Sequence, residues 1–486
     1  MELVFEKTKM QCLKQILSQT KDLELTQEVK LSEGMPDVGN VLGAWGQVLI
    51  RGKEWRSNSI GINGGVMCWV MYVPEEEKQP RMVEEWIPFQ TQMDIPDTIH
   101  DGQICVIPAL RYIDARSISA GKLMLRACVS LQIRANVSEE TEYFIPPQTE
   151  THIQLLKNSY RMQIPCEAGE KSFVMDEEFS IDGPIPEKLL QYRLQPAITE
   201  IKVMVGKVVF RGSALVQGMY MAENAVHSFQ MDIPFAQYAQ LEGEFDPEAT
   251  AWIYPAVTSL ELELSGGNNL HMKAGLTGQY VICDQKEIML VEDAYSTTHQ
   301  LQLHNQEIEL SGVLEDKEQQ IRGEFSPKES GRVVDVVFYP DMPRTQRNAE
   351  ELEHQLSGRY QILYYDADNT VCAETGKWEQ TLRENADEKT KCQMWLCPVS
   401  FATADGIDLV CQSITMASEG MEAIMALTVS DEQMHLQDRP SLILRRKGDT
   451  SLWQIAKETG STVDRIKTAN GLEAEPTADK MLLIPT

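Results

Sequence analysis

The sequence predicts a mainly β protein with three tandem β-rich, sandwich-like domains, followed by a small domain in the order strand, helix, helix, strand. Two observations support this prediction. A set of landmark residues recurs in the same order along the chain, and the last 46 residues carry helix-capping signals between two short apolar runs. A length of 486 residues also fits three or four domains better than one.

The first two domains are predicted from landmarks that keep the same order and nearly the same spacing. Tyr72 is followed after sixteen residues by Pro88, and Tyr220 is followed after fourteen by Pro234. Each of these prolines precedes a phenylalanine, and a second proline with an alanine after it lies 20 or 21 residues further on. The two copies are therefore assigned to residues 1–140 and 150–292.

A third, shortened copy is predicted over residues 298–438. Its strands are expected at Arg359–Tyr365, around the turn Cys397–Val399 and at Asp408–Ile414. Throughout the three copies, apolar runs of five to eight residues alternate with Gly, Asp and Asn turns. This alternation is typical of short strands joined by tight turns.

A few segments of the three copies have a helical pattern, and polar stretches between the copies are expected to be linkers. Helices are expected at Met10–Ser18, Ile185–Tyr192 and Gln346–Leu356. Linkers are expected at Ser138–Thr149, Glu292–Thr298 and Leu436–Pro440. Copies of this length are too long for solenoid units, so the sequence favours tandem domains.

The fourth domain is predicted over residues 441–486, where local signals are strong. The apolar run Ser441–Leu444 is suited to a strand. Ser451 and Gln454 have the spacing of a capping box, in which side chains satisfy free backbone donors at the start of a helix. Gly460 is suited to end that helix, because glycine readily adopts the left-handed conformation of a helix C-cap.

The second half of this domain repeats the pattern. Ser461 and Asp464 have a similar cap-like spacing, and the pair Asn470 and Gly471 is expected to end the second helix. The apolar run Met481–Ile484 then supplies the closing strand. A unit this small needs nearly every apolar side chain for its core.

Charge and cysteine content narrow the classes of function. The formal net charge is −29, and because residues 441–486 contribute seven basic and six acidic side chains, the other 440 residues carry −30. So acidic a body disfavours nucleic acid and anionic membrane surfaces as partners. The ten cysteines include no Cys-x-x-Cys pair, and neither a signal peptide nor a membrane span is expected, which together predict a cytosolic protein.

No catalytic or metal-binding motif is recognised. The chain lacks a phosphate-binding loop, a G-x-S-x-G nucleophile elbow and an H-E-x-x-H zinc motif. The acidic clusters at 75–77 and 176–178 are interpreted as solvated turns, because glycoside hydrolysis needs carboxylates that face each other across a cleft. We therefore expect a protein that is not an enzyme and that uses no cofactor and no metal.

The strand–helix–helix–strand order, with Gly448-Asp449-Thr450, Leu452-Trp453 and Ile484-Pro485, resembles a LysM domain. The resemblance implies a shallow groove for N-acetylglucosamine-containing glycans between the loop after the first strand and the loop before the second. It places in this groove Lys447, Gly448, Asp449, Thr450, Ser451, Leu452, Trp453, Asn470, Gly471 and Leu472. Trp453 is either a core residue or a platform on which a sugar stacks.

The repeated pattern of the larger domains carries a second resemblance. Gly206-Lys-Val-Val-Phe-Arg-Gly212, a strand that ends at Tyr220 and the Ile-Pro-Phe sequence at 233–235 are similar to the SPOCS domain of spore-coat-associated proteins. Tandem SPOCS domains with a C-terminal LysM domain resemble the architecture of SipL-like spore morphogenesis proteins.

This family resemblance implies a function that does not involve catalysis. It implies a scaffold in the mother-cell cytosol, at the forespore surface, which joins a spore coat morphogenetic ATPase-type protein through the LysM domain. The LysM resemblance alone implies a different function, a cell-wall-associated protein that binds peptidoglycan. Both hypotheses place the binding site in residues 441–486.

Overall fold

The computed structural model describes residues 2–56, 58–77, 79–96, 101–147, 152–327, 331–348, 351–385, 390–433 and 440–486. Strands make up most of the described chain, and its two short helices lie in the last 46 residues. The prediction of a mainly β protein is therefore confirmed.

The strands before residue 440 form three consecutive sets, which we call the first, second and third repeats. A short strand, β1 (Glu2–Val4), precedes them. The first repeat comprises β2 (Glu6–Lys30), β3 (Val38–Arg56), β4 (Ser59–Pro74), β5 (Arg81–Asp94), β6 (Gln103–Ser119) and β7 (Lys122–Ile145). The second comprises β8 (Ile153–Ser180), β9 (Lys188–Met204), β10 (Lys207–Ala222), β11 (Ala225–Gln240), β12 (Thr250–Gly266) and β13 (Asn269–Ser296). The third comprises β14 (His299–Glu324), β15 (Arg332–Pro340), β16 (Arg344–Asn348), β17 (Glu351–Tyr365), β18 (Val371–Asn385), β19 (Thr390–Pro398) and β20 (Gly406–Gln433).

The same pairing recurs in each repeat. The long first and last strands pair with each other, as β2 with β7, β8 with β13 and β14 with β20. The next-to-last strand joins the last strand at its other edge, and the strands between form a separate antiparallel sheet, such as β3-β4-β5. In the third repeat the first strand of this second sheet is broken into β15 and β16, both of which pair with β17.

The prolines noted in the sequence lie on edge strands. Pro88 and Pro234 are in β5 and β11, and Pro108, Pro255 and Pro398 are in β6, β12 and β19. Each of these strands pairs with only one named neighbour among the described residues. An edge position suits proline, because proline has no N–H to donate to a second neighbouring strand.

The three repeats enclose a small cavity of about 160 Å³. Corresponding strands of each repeat line it, and three of the lining residues are Pro108, Pro255 and Pro398. The repeated prolines therefore face one shared centre.

The connections between the repeats are not the linkers that the polar sequence suggested. Residues 138–145 continue β7, and residues 292–296 continue β13, which a two-residue turn joins to β14. The segment 138–145 stays extended because it pairs with β2, and its glutamates form ion pairs with lysines of that strand, as in Lys9–Glu140 and Lys14–Glu139. Of the third expected linker, Leu436–Pro440, only Pro440 lies within the described residues.

Strand pairing between repeats extends across the body. One sheet runs in the order β1-β20-β14-β8-β13-β12, so it contains strands of the second and third repeats. At its end, β1 pairs with β20, with Glu2 opposite Thr428. The buried Phe5, next to β1, packs in a cluster with Phe144 and Leu427. The N-terminus thus ties the first repeat to the third.

The prediction of three helices in the repeats is wrong. Met10–Ser18 lies within β2, the end of Ile185–Tyr192 lies in β9, and the described part of Gln346–Leu356 lies in β16 and β17. In each case the local apolar spacing fits a helix, but an antiparallel neighbour provides the backbone hydrogen bonds: β7 for β2, β10 for β9, while β16 and β17 pair with each other. Pairing of this kind overrides weak local preference.

One buried carboxylate joins all three repeats. Asp335, in the third repeat, is 2% exposed. Its Oδ2 accepts a hydrogen bond from Trp45 Nε1 of the first repeat at 3.0 Å. Its Oδ1 accepts from Arg193 Nη2 at 2.9 Å and from Gln217 Nε2 at 3.1 Å, both of the second repeat. The three repeats therefore share an internal ion pair and its hydrogen bonds.

A second junction uses aromatic rings. Arg134 of the first repeat donates from Nη1 to the hydroxyl of Tyr254 in the second repeat at 2.8 Å. The Arg134 guanidinium carbon lies 4.9 Å from the Tyr254 ring centroid and 5.2 Å from that of Trp395 in the third repeat. Burial raises the pKa of Tyr254, so its hydroxyl stays protonated. Cation–π contacts of this kind are strongest where water is excluded.

We predict that Asp335→Ala destabilises the whole body. Removing the carboxylate leaves the Arg193 guanidinium buried without its counter-charge, which costs about 3–5 kcal/mol in comparable buried pairs. The midpoint of urea unfolding should fall accordingly, with strands of all three repeats affected together. As a control, Glu200→Ala breaks an exposed pair with Arg211 and should cost at most about 1 kcal/mol. Equal effects of the two variants would contradict the assigned role of Asp335.

Candidate binding site on the C-terminal unit

Residues 441–486, called here the C-terminal unit, form two strands and two helices. They are β21 (Leu442–Arg446), α1 (Leu452–Thr459), α2 (Val463–Asn470) and β22 (Met481–Pro485), with β21 paired antiparallel to β22. The core consists of buried side chains from α1, α2 and β22, with the half-buried Ile443 of β21 packed against them: Leu452, Ile455, Ala456, Ile466, Leu482 and Ile484. The buried Tyr295 of β13 joins the same cluster, so the small hydrophobic centre of the unit continues into the body.

The helix ends follow from local residues. Ser451 Oγ accepts from the Gln454 backbone N–H at 3.1 Å, and Gly460 ends α1 in the left-handed conformation, with φ of 68°. The cap of α2 is Thr462, whose Oγ1 accepts from the Arg465 N–H at 3.2 Å. The expected cap, Ser461, is instead buried and donates its hydroxyl to the Pro485 carbonyl.

Glu475 joins the two loops of the predicted groove, although it is not among the groove residues predicted above. Glu475 Oε1 accepts a hydrogen bond from the Leu452 backbone N–H at 2.9 Å and lies 3.5 Å from Lys447 Nζ. A carboxylate at the start of α1 is favoured by the free N–H groups and the helix dipole. Glu475 thus occupies hydrogen-bond donors of the predicted groove, and Lys447 is buried beside it.

Several other predicted groove residues have structural roles. Leu452 is 1% exposed and belongs to the core. Asn470 donates from Nδ2 to the carbonyls of Ile466 and Leu483, at 2.8 and 2.6 Å, and its Oδ1 accepts from the Leu483 N–H at 2.8 Å. Gly448 and Gly471 have φ of 62° and 58°, which glycine adopts most easily.

Three of the predicted groove residues remain open to a ligand. Asp449 is exposed, and Thr450 and Leu472 are half-buried. With Ser451, which caps α1, they form the rim of the groove.

Trp453 is half-buried, packs against the core of the C-terminal unit and also contacts the body. Its indole Nε1 donates to Asp293 Oδ2 of β13 at 2.8 Å, and its ring meets that of Tyr295 edge-on with centroids 4.8 Å apart. Lys457 Nζ pairs with Asp293 Oδ1 at 2.7 Å, and the Tyr295 hydroxyl donates to the Ser461 carbonyl at 3.0 Å. These contacts hold the C-terminal unit against the end of the second repeat.

The Tyr295 contact persists over a wide pH range. Burial, with the nearby Asp293 carboxylate, raises the pKa of the Tyr295 hydroxyl to about 12. The hydroxyl therefore keeps the proton that it donates to Ser461 at any physiological pH.

The outward face of the two-stranded ribbon is mostly apolar, with Arg446 at one end. Leu444 lies opposite Leu483, Leu442 opposite Pro485 and Arg446 opposite Met481, so these side chains share one face. The exposed fractions are 52% for Leu442, 66% for Leu444, 50% for Met481 and 37% for Leu483. Contiguous apolar side chains on a surface mark sites of interaction. We call this surface the ribbon face.

The comparisons with known proteins concern the second repeat. A protein-family model described as "SipL, SPOCS domain" matches residues 186–264, which begin just before β9 and extend almost to the end of β12. This match supports a SipL-like protein. Neither the curated proteins nor the solved structures gave a match. Neither helix of the described residues is long and apolar enough to cross a membrane.

We predict that Asp293→Ala loosens the C-terminal unit from the body. The change removes the acceptor of Trp453 and the ion-pair partner of Lys457, which together stabilise the docked position by about 1–3 kcal/mol. Amide hydrogen exchange of α1 should accelerate.

The control for this prediction is Glu473→Ala, a change at an exposed carboxylate of the same unit. It should leave the exchange of α1 unaltered. Unchanged exchange in Asp293→Ala would show that these contacts do not hold the unit in place.

Proposed function

We propose that this protein is a non-enzymatic scaffold in endospore coat assembly, which binds a coat morphogenetic protein of ATPase type through its C-terminal unit. The match of residues 186–264 to the SPOCS domain of SipL connects the chain to sporulation and the spore coat. The resemblance of residues 441–486 to a LysM domain supplies the binding module. The acidic body then serves as the support that carries it.

The observation that most favours a protein partner over a glycan is the position of Trp453. It is the sole aromatic residue of the C-terminal unit, so sugar stacking on this unit depends on it. Its ring packs against Tyr295 and its N–H is bonded to Asp293. Glu475 in addition accepts from the Leu452 N–H, a donor that a sugar amide would otherwise use.

The ribbon face supports a protein partner for a second reason. Leu442, Leu444, Met481 and Leu483 expose apolar surface that a hydrophilic glycan does not bury well. A complementary protein surface removes it from water, which is favourable by about 25 cal/mol per Å². We therefore place the partner on the ribbon face and on the adjoining groove rim at Asp449 and Leu472.

The cysteines support a reducing compartment. None of the ten forms a disulfide bond in the structure, and six are buried. Burial raises the pKa of several, including Cys105 and Cys166 to about 11, which makes them unreactive. We propose the mother-cell cytosol, at the forespore surface, as the place where the protein acts.

We predict that Leu444→Asp weakens capture of the coat morphogenetic protein at least about tenfold, because burying a leucine contributes about 1.5–3 kcal/mol and each 1.4 kcal/mol is tenfold in affinity. Pull-down of the purified partner by the full chain measures the effect. Leu314→Asp is the matched control, since Leu314 is 58% exposed on β14 of the body. Leu472→Ala tests the groove rim in the same assay.

Circular dichroism of each variant must show a folded chain. Equal capture by wild type, Leu444→Asp and Leu472→Ala would overturn the proposed partner face.

We also predict that the purified chain does not sediment with peptidoglycan. The physical reason is that Trp453 and the Leu452 N–H are already engaged within the protein. Co-sedimentation of the wild type that Asp449→Ala abolishes would instead support a glycan-binding function through the groove.

A further inference from the structure

A second site lies in the third repeat, away from the C-terminal unit. Among the residues that the structure describes, His354, Glu384 and Cys392 bring an imidazole nitrogen, a carboxylate oxygen and a thiol sulfur within 4.8 Å of one another. The three residues lie on β17, β18 and β19. They are separated by 30 and 8 residues along the chain, so no short motif reveals them.

Strand register brings His354 and Glu384 together. His354 lies opposite Leu382 and Leu352 lies opposite Glu384, so the histidine and the glutamate are diagonal neighbours on one face of the sheet. That face points inward, and His354 is 1% exposed. Its Nε2 lies 3.1 Å from Glu384 Oε1.

Cys392 reaches the same point from the other sheet. It lies on β19, which pairs with β20, and it shares the inward face of β19 with the buried Met394 and Leu396. A cavity of about 150 Å³ opens beside the cluster, and Cys411 of β20 also lines it. The cluster therefore bridges the two sheets of the third repeat.

The neighbours of the cluster orient its donor atoms. His354 Nδ1 lies 2.9 Å from the Thr345 hydroxyl oxygen, which can accept an Nδ1–H proton and leave the Nε2 lone pair free. Lys317 Nζ lies 3.6 Å from Glu384 Oε2, so the other carboxylate oxygen, Oε1, is the one nearer the histidine. An outer hydrogen bond that fixes a histidine tautomer is typical of metal sites.

We propose that His354 Nε2, Glu384 Oε1 and Cys392 Sγ bind a zinc ion. Zinc takes nitrogen, oxygen and sulfur ligands together, whereas calcium and magnesium prefer oxygen alone. A water completes the set of four ligands. Cys392 binds as the thiolate, and the proton of its thiol passes to the solvent.

A zinc ion at this position links the two sheets. Its ligands on β17 and β18 belong to one sheet and the ligand on β19 belongs to the other. The ion also supplies the positive charge that Glu384 and a buried thiolate need. Burial, with the Glu384 carboxylate, raises the pKa of the Cys392 thiol to about 12 when no metal is bound.

Metal titration of the full chain tests the proposal. After treatment with a chelator, the protein should bind one equivalent of Zn²⁺ in calorimetry, and its thermal unfolding midpoint should rise with zinc. Co²⁺ in place of zinc should give the thiolate-to-cobalt charge-transfer absorption in the near ultraviolet. Cys392→Ser should abolish this absorption, and Thr345→Val should weaken zinc binding about tenfold or more.

Cys372→Ser is the matched control, because Cys372 is a half-buried thiol of β18 in the same repeat but outside the cluster. It should keep both the stoichiometry and the cobalt absorption. If Cys392→Ser does not fold, the wild-type cobalt spectrum still decides. Absence of the thiolate absorption in wild type, or zinc binding that is equally strong in Cys392→Ser, would overturn the proposal.

Discussion

The buried charge of Asp335 constrains the whole body. Its two oxygens accept hydrogen bonds from Trp45 of the first repeat and from Arg193 and Gln217 of the second, while Asp335 itself belongs to the third. A carboxylate and a guanidinium are costly to bury unless they remain paired, so each repeat fixes the position of the others. The Arg134–Tyr254–Trp395 junction repeats the arrangement with aromatic rings. The three repeats therefore behave as one interlocked body.

An interlocked body explains how the C-terminal unit is presented. Asp293 and Tyr295 lie at the end of β13, and they dock α1 through Trp453 and Lys457. The side chains of the ribbon face take no part in these contacts. The unit is thus held by one surface while it offers another to a partner.

The sequence predicted much of this structure where the signals were local. The capping pair Ser451 and Gln454 marks the start of α1, and the repeated prolines mark equivalent strands of the first two repeats. It failed where pairing with another strand decides the outcome, whether that strand is near, as for β9 and β16, or far away. Met10–Ser18 has apolar spacing that fits a helix, but its hydrogen-bond partners are 120 or so residues away in β7. No local sequence pattern indicates a partner strand so far along the chain.

Prediction of the candidate sites from the sequence has the same limit. The sequence predicts that Trp453 is a core residue or a sugar platform. It does not reveal the hydrogen bond to Asp293, because that residue is 160 positions away in the chain. The sequence does not indicate Glu475 or His354 as site residues, since each gains its role from a neighbour on another element. Among the predicted groove residues, the two glycines and Asn470 shape the local backbone. Their presence in the sequence is explained by that structural role and does not indicate ligand binding.

Site-specific photo-crosslinking in sporulating cells tests the central claim most directly. A photoreactive amino acid at position 444, on the ribbon face, should form an adduct with a coat morphogenetic protein, which mass spectrometry identifies. The same probe at position 314 of the body should not. Adducts from position 444 that contain only peptidoglycan, or a protein adduct from position 314 alone, would contradict the account.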